Sequence, residues 1–206
     1  MDVLDALEPR PRSLAELVEV TGLPRATAHR LATALEAHGL VRRDAAGRFA
    51  LGPRLVTLGR AASDAWPLAA LAEPALVALR DLTAESVQLF VRDGDERVCI
   101  AALQSPHGLR TIVPLGARLP LGVGSAGRVL ADAEPTDDRR PLWTESVEER
   151  EPGVASVSAP VRDAAGAVIA AVSVSGPVER TSRQPGRRYG EAVIAAARTI
   201  ESALAP

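Results

Sequence analysis

The hydrophobic pattern of this chain changes at Ser86, and that change limits the folds open to it. Before it the chain reads mainly as helices, with apolar residues at helical spacing between proline and glycine breaks. After it, VQLFVRDGDERVCIAAL reads as two strands turning at Asp93-Gly94, and GLRTIVPLG as a third. A glycine-rich stretch and a helix follow. Residues 132–153, acidic and proline-containing, read as loop. VASVSAPVRDAAGAVIAAVSVSG then gives a second hairpin turning through Asp163 to Gly166, and a last helix spans about 187–204. Strand pairs enclosed by helices imply an α+β class with an antiparallel sheet. Hydrophobic residues make up 47% of the chain and aromatic ones only 2%, so the core must be built mostly from Leu, Val and Ala.

The first fifty residues carry their own punctuation. Residues 2–7 suggest a short helix, broken by Pro9 and Pro11. Ser13 and Glu16 have capping-box spacing, which starts a helix at Leu14 that Gly22 ends. Pro24 suits the first turn of the next helix, whose apolar stripe is Ala28, Leu31, Ala32 and Leu35 and whose end is Gly39. Leu40-Val41, a turn with Asp44 and Gly47, and Phe49-Ala50-Leu51 make a hairpin. Two short helices, a tight turn and a hairpin form a winged helix-turn-helix, whose second helix enters the DNA major groove. Ala26, Arg30, Thr33 and Ala37 face away from the stripe. Arg25, Thr27 and His29 flank the N-terminal end of that helix, and Arg43 and Arg48 bracket the wing. Amphipathic helices with outward arginines also occur in proteins that bind no DNA. Residues 54–65 form a linker helix leading to Trp66-Pro67. Leu68, Leu71, Ala75, Leu79 and Leu82 mark another helix, bent or restarted at Pro74.

Charge supports a nucleic-acid contact at the head only. The whole chain is at −2, but residues 1–62 hold nine Arg against seven acids, and the rest fifteen against nineteen. A single cysteine, Cys99, excludes an internal disulfide framework and suits a reducing compartment. The N-terminus lacks the basic and long apolar segments of a signal peptide, and AVIAAVSVSG is too short to span a bilayer, so a cytoplasmic protein without membrane contact is expected. His29, His38, His107 and Cys99 have no metal-ligand spacing, and the serines near the candidate pocket have no nearby histidine in sequence to act as base. The expectation is therefore no catalytic residue, no metal and no cofactor, with a small-molecule enzyme as a lesser alternative.

LPLGVGSAGRVLA, residues 119–131, fits G-x-G-x-x-G at Gly122, Gly124 and Gly127. A dinucleotide fold needs those glycines after a buried strand in a βαβ unit, with an acid ending a second strand about 20 residues on. Pro120 precedes the glycines, Gly116-Ala117-Arg118 interrupts any buried strand, and no strand leads to an acid at the right distance. Two readings remain. Either the helix starting at Ser125-Ala126-Gly127 offers its unpaired N–H groups to a small anion, or the glycines only permit a tight turn.

Taken together, VLDAL, LAELVEVTGLPRATAHRLATALEAHGLV, GRFALGPRL, RLPLGVGSAGRVLA, EPGVASVSAPVRDAAG and VSVSGP resemble the IclR family of bacterial transcriptional regulators along nearly the whole chain. The resemblance implies a winged helix-turn-helix in 1–52, a dimerising linker helix in 53–67 and a GAF-like effector-binding domain in 68–206. It implies double-stranded operator DNA, a small-molecule effector such as an organic acid, and a homodimer or dimer of dimers. By position it puts the ligand contacts of the helix end on Ser125 and Ala126, and the rest of the pocket on Val154, Ser156, Ser173 and Ser175. None of these is Arg or Lys, so the helix end is expected to supply most of the charge, at ~0.3–1 kcal/mol and up to ~2 if partly buried. Three departures stand out: Ser156 where members often have cysteine, a shortened segment between Leu130 and Val154, and an acid expected near Ser146 that appears only as Glu148 or Glu149. The first helix is also expected to be trimmed. A regulator-like dimer that binds no effector is the alternative.

Overall fold

The computed structural model describes residues 2–65, 67–131 and 142–204, and the chain divides into two compact units, 1–66 and 67–206. The first unit begins with α1 (Asp2–Leu7), α2 (Leu14–Thr21) and α3 (Arg25–Ala37). Ser13 starts α2 with both halves of a capping box. Its hydroxyl accepts the Glu16 N–H at 3.3 Å, and the Glu16 carboxylate accepts the Ser13 N–H at 2.7 Å. That backbone bond, with Arg10 alongside at 2.7 Å, holds the Glu16 carboxyl down to about 2. Its contribution to stability is therefore present above the ordinary carboxylate range and is lost as pH falls toward 2.

Val3, Leu7, Leu17, Ala32, Val41 and Phe49 form the core of this unit. Ala28 and Ala32 carry the buried face of α3, with Leu35 half-buried. Leu31, expected in the stripe, is 42% exposed because it lies at the margin of the face that the two alanines centre. The wing is β1 (Val41–Arg43) paired with β2 (Phe49–Leu51), antiparallel. Gly52 then passes so close to the end of α3 that a Cβ there would sit 2.2 Å from the Gly39 carbonyl oxygen. The chain leaves as α4 (Arg54–Ala65), which exposes Val56, Leu58 and Ala62 and half-buries Leu55.

The second unit is a six-stranded antiparallel sheet with helices on both faces. Its elements are α5 (Leu68–Thr83), β3 (Ser86–Asp93), β4 (Glu96–Leu103), β5 (Arg118–Pro120), α6 (Gly124–Ala131), β6 (Thr144–Val147), β7 (Val154–Arg162), β8 (Val168–Pro177), α7 (Val178–Thr181) and α8 (Pro185–Leu204). Strand order is β5-β4-β3-β8-β7-β6. Alternation along the strands assigns the faces. Val87, Leu89, Val157, Ala159, Val172 and Val174 point to α5 and α8 and form the main core. Phe90, Cys99 and Ala171 point the other way and pack under Ala126, Val129 and Leu130 of α6.

Four readings of the sequence need correction here. α5 runs unbroken through Pro74, which sits on its exposed side, where the carbonyl left without a partner at exposed Ala70 meets water. Its buried stripe is Leu68, Ala72, Ala75, Leu76 and Leu79, and Leu71 and Leu82 are exposed. GLRTIVPLG is not a strand: Pro114 offers no N–H and Gly116 turns the chain at φ +83, so pairing with β4 as a strand begins only at Arg118. Of the expected loop 132–153, residues 132–141 lie outside the described residues, as does Trp66 of the linker. Residues 144–147 are the edge strand β6, hydrogen-bonded to β7.

β6 is preceded by Trp143, whose indole lies against two glycines of α8. A Cβ at Gly186 would meet the ring at 2.1 Å, and one at Gly190 would meet Nε1 at 2.6 Å. Replacing an interior helical glycine by alanine ordinarily stabilises by about 1 kcal/mol. Here the sign reverses, since displacing the indole costs about 1–3 kcal/mol. Gly190→Ala is expected to lower the chemical-denaturation midpoint, and a raised midpoint would show that Trp143 does not pack there.

Candidate functional site

The pocket of the second unit opens on the sheet face that α6 covers. Strand register fills that face with hydroxyls. Ser86, Ser175, Ser156 and Ser146 lie in one row across β3, β8, β7 and β6, and Gln88, Ser173, Ser158 and Thr144 lie in the next. Gly122 and Gly124, at φ +80 and +74, turn the chain from β5 into α6, so that the helix starts over these rows. The cavity encloses about 410 Å³ of space between atoms, part of it open to solvent. Gln88, Ser146, Ser156, Ser173 and Ser175 line it on one side, Gly124, Ser125 and Ala126 on another. Phe90, Val113, Leu119 and Val154 give it an apolar part.

Much of this polar surface is already bonded. The Ser125 hydroxyl lies 2.7 Å from those of both Ser156 and Ser158, and Ser175 donates to Gln88 Oε1 at 3.0 Å. The helix end itself holds a carboxylate: Gly124 N–H donates to Glu149 Oε2 at 3.1 Å, and Glu149 Oε1 is 3.0 Å from Arg128 Nη1. Of the two acids considered for the position near Ser146, Glu149, on the turn after β6, is the one that meets the start of α6.

The charge of the pocket comes from two arginines that the sequence pattern does not single out. Arg97 of β4 is only 3% exposed. Its Nη1 donates to the Val123 carbonyl at 2.8 Å and to that of Pro120, and its guanidinium lies 5.4 Å from the centre of the Phe90 ring. Its Nε is buried without a partner, and no carboxylate pairs with it among the described residues. Burial, with like-charged Arg150 adding to it, pushes the Arg97 guanidinium down to about 10, so it remains a cation at neutral pH. Arg150 also lines the cavity, and its ion pair with exposed Glu151 is a long 3.5 Å. The expectation that the helix end supplies most of the charge is corrected. Sequence spacing hid Arg97, which reaches the turn before α6 through side-chain bonds to carbonyls 23 and 26 residues away in the chain. Beside it, Cys99 is buried and its thiol pushed up to about 11, so it is no thiolate nucleophile at neutral pH.

In the first unit, Arg25, Ala26, His29 and Arg30 are exposed along the start of α3, with Thr27 half-buried. The side chains of Arg25 and Arg30 make no ion pair or hydrogen bond among the described residues. The two wing arginines differ. Arg43 lies 4.2 Å over the Phe49 ring and 3.4 Å from Glu36, and Arg48 pairs with Asp44 at 2.8 Å. Arg42, not singled out by sequence, is exposed on β1 and carries no such partner.

The six residues placed on the effector site by position all line one cavity. Gln88, Phe90, Arg97, Val113, Leu119, Ser146 and Arg150 join them. Among the described residues no group of three His, Cys, Asp or Glu is arranged to hold a metal, and no helix is long and apolar enough to cross a membrane.

Comparison with known proteins agrees with this architecture. The IclR helix-turn-helix domain matches residues 1–45, and the C-terminal domain of bacterial transcriptional regulator IclR matches 61–147 and 136–202. The HTH-type transcriptional regulator KipR of Bacillus subtilis is 31% identical over 126 residues, 61% of this chain and half of KipR. The HTH-type transcriptional repressor AllR of Escherichia coli is 30% identical over 88% of this chain and 79% of its own length. An IclR homologue from Microbacterium hydrocarbonoxydans, solved in complex with 4-hydroxybenzoate, has the same fold, with a TM-score of 0.82 at 22% identity over 98% of this chain and 96% of that one. With a reading head of two helices and a wing, a serine-floored sheet under α6, and both family domains matched in order, the chain belongs to the IclR family of DNA-binding transcriptional regulators.

Proposed function

We propose that the pocket under α6 senses a small carboxylate and that α3 reads operator DNA in a homodimer or a dimer of dimers. The observation that carries the ligand reading is Arg97, a buried cation beside a helix start with no acid partner among the described residues. A buried unpaired charge is costly, and an incoming carboxylate relieves that cost. The backbone N–H groups of Ser125 and Ala126 face the anion, Ser156, Ser173 and Ser175 take its remaining polar groups, and Val154 closes the apolar side. That the Microbacterium relative holds 4-hydroxybenzoate, itself a carboxylic acid, supports the class. The bond from Gly124 to Glu149 favours a second reading, in which the helix end is permanently satisfied from within and the unit binds no effector.

On the DNA side, Arg25, Ala26, Thr27, His29 and Arg30 contact bases or adjoining phosphates, and the wing touches the backbone. Arg42 is the wing cation ready for a phosphate, whereas Arg43 and Arg48 must first leave Glu36 and Asp44. Exposed Val56, Leu58 and Ala62 give α4 an apolar surface for a second copy. Operator binding implies a cytoplasmic protein, and its relatives being regulators argues against an enzyme.

Three outcomes are expected. Arg30→Ala costs about 1–3 kcal/mol on the specific site and relaxes sequence preference, whereas Arg42→Ala weakens specific and scrambled duplexes alike. Fluorescence anisotropy on the region upstream of the gene, at one salt concentration, reads both effects. Equal parent affinity for the two duplexes would reject specific binding. Sedimentation of the parent shows a dimer or larger, shifted toward monomer by V56E with L58E; a monomeric parent that still binds DNA specifically would reject the assembly. Thermal denaturation with propionate, benzoate and 4-hydroxybenzoate shows stabilisation that their amides do not give, by mass action on the folded state. No stabilisation by any acid would favour the effector-free reading.

A further inference from the structure

The pocket wall contains more positive charge than one carboxylate neutralises. Arg97 and Arg150 both line it, and among the described residues no Asp or Glu does. Arg97 has no acid partner among the described residues and keeps a buried Nε without any. Arg150 has only Glu151, whose side chain is 62% exposed, at 3.5 Å. An ion pair of that kind contributes little. Glu149, at the start of α6, is taken up by Gly124 and Arg128 and is not among the described residues that line the cavity. Two guanidinium groups held near each other around one cavity repel, and a single charge placed between them leaves one uncompensated. The floor adds neutral hydroxyls and the Gln88 amide, which can bond an acid's oxygens without cancelling its charge.

We infer that this chain's effector is a small organic dianion, one acidic group lying at the start of α6 beside Arg97 and the second facing Arg150. The inference rests on the pocket under α6 being the effector site, and it narrows the ligand from any small carboxylate to an acid with two charges. Arg97 is built in from beneath by the Pro120 and Val123 carbonyls, which fix its position. Arg150, on the turn between β6 and β7, is the side chain that discriminates one charge from two. A dicarboxylate and a phosphate monoester share this chemistry, and both belong in the test.

Isothermal titration calorimetry on the full chain compares acids matched in length: succinate with butyrate, glutarate with valerate, and glycerol 3-phosphate as the phosphate monoester. At least one dianion is expected to bind about tenfold or more tighter than the matched mono-acids, as charge-assisted bonds to a second arginine require. Whether the tighter probe is a dicarboxylate or the phosphate identifies the source. Arg150→Gln, checked for an unchanged melting curve, is expected to lower dianion affinity about fivefold or more beyond any loss in mono-acid affinity, so that the preference for two charges disappears. If mono-acids bind and no dianion binds tighter, the inference fails and the carboxylate pocket stands. The inference fails in the same way if Arg150→Gln keeps the full preference. If neither class binds, the pocket reading fails with it.

Discussion

The site depends on the register of β8 against β3 and β7. In the observed pairing, Ser173 and Ser175 share a face with Gln88, Ser156 and Ser158, while Val172 and Val174 face α5 and α8. Slipping β8 by one residue would turn both serines into the dry core and both valines into the pocket. The hydrophobic effect on one side of the sheet therefore positions the polar chemistry on the other. Burying the valines is what holds the hydroxyls in place, with no strain or special loop needed.

Onto that floor the fold adds a helix start and a buried cation. The glycine turn brings Gly124–Ala126 over the serine rows, and β4 carries Arg97 beneath the same turn. Gly127 shows how tight the arrangement is, since a Cβ there would lie 2.4 Å from Arg97 Nη1. The glycines of LPLGVGSAGRVLA thus do more than turn the chain: they make room for a guanidinium under the helix. Glu149 completes the picture from above, placing a carboxylate of the chain itself on the Gly124 N–H. An acid that enters must share this end with Glu149 or displace it.

Local signals were the most legible part of the sequence. The Ser13–Glu16 capping box, the Asp44–Gly47 and Asp163–Gly166 turns and the hairpin of β7 and β8 each appear where their chemistry puts them. What sequence missed was decided by tertiary packing. Leu31, Leu71 and Leu82 are apolar yet exposed, because small alanines define the buried faces of α3 and α5. GLRTIVPLG has strand composition, but a proline and a turn keep it from pairing as a strand until Arg118. β6 has only four residues and owes its state to β7. In the pocket, position along the family pattern reached the serines, Ala126 and Val154. Arg97 and Arg150 could not be placed there, because their membership depends on which loop and strand close over α6.

The central claim is that an acid binds where α6 starts, against Arg97. An NMR titration of the isotope-labelled full chain with succinate and with propionate tests it most directly, by following the amides of Gly124, Ser125 and Ala126 together with the Arg97 Nε–H. The account predicts that these four signals move and saturate together with at least one of the two acids, with Arg97→Gln abolishing the response at the three amides. Saturable shifts confined to other residues, or amide shifts that survive Arg97→Gln unchanged, would contradict it.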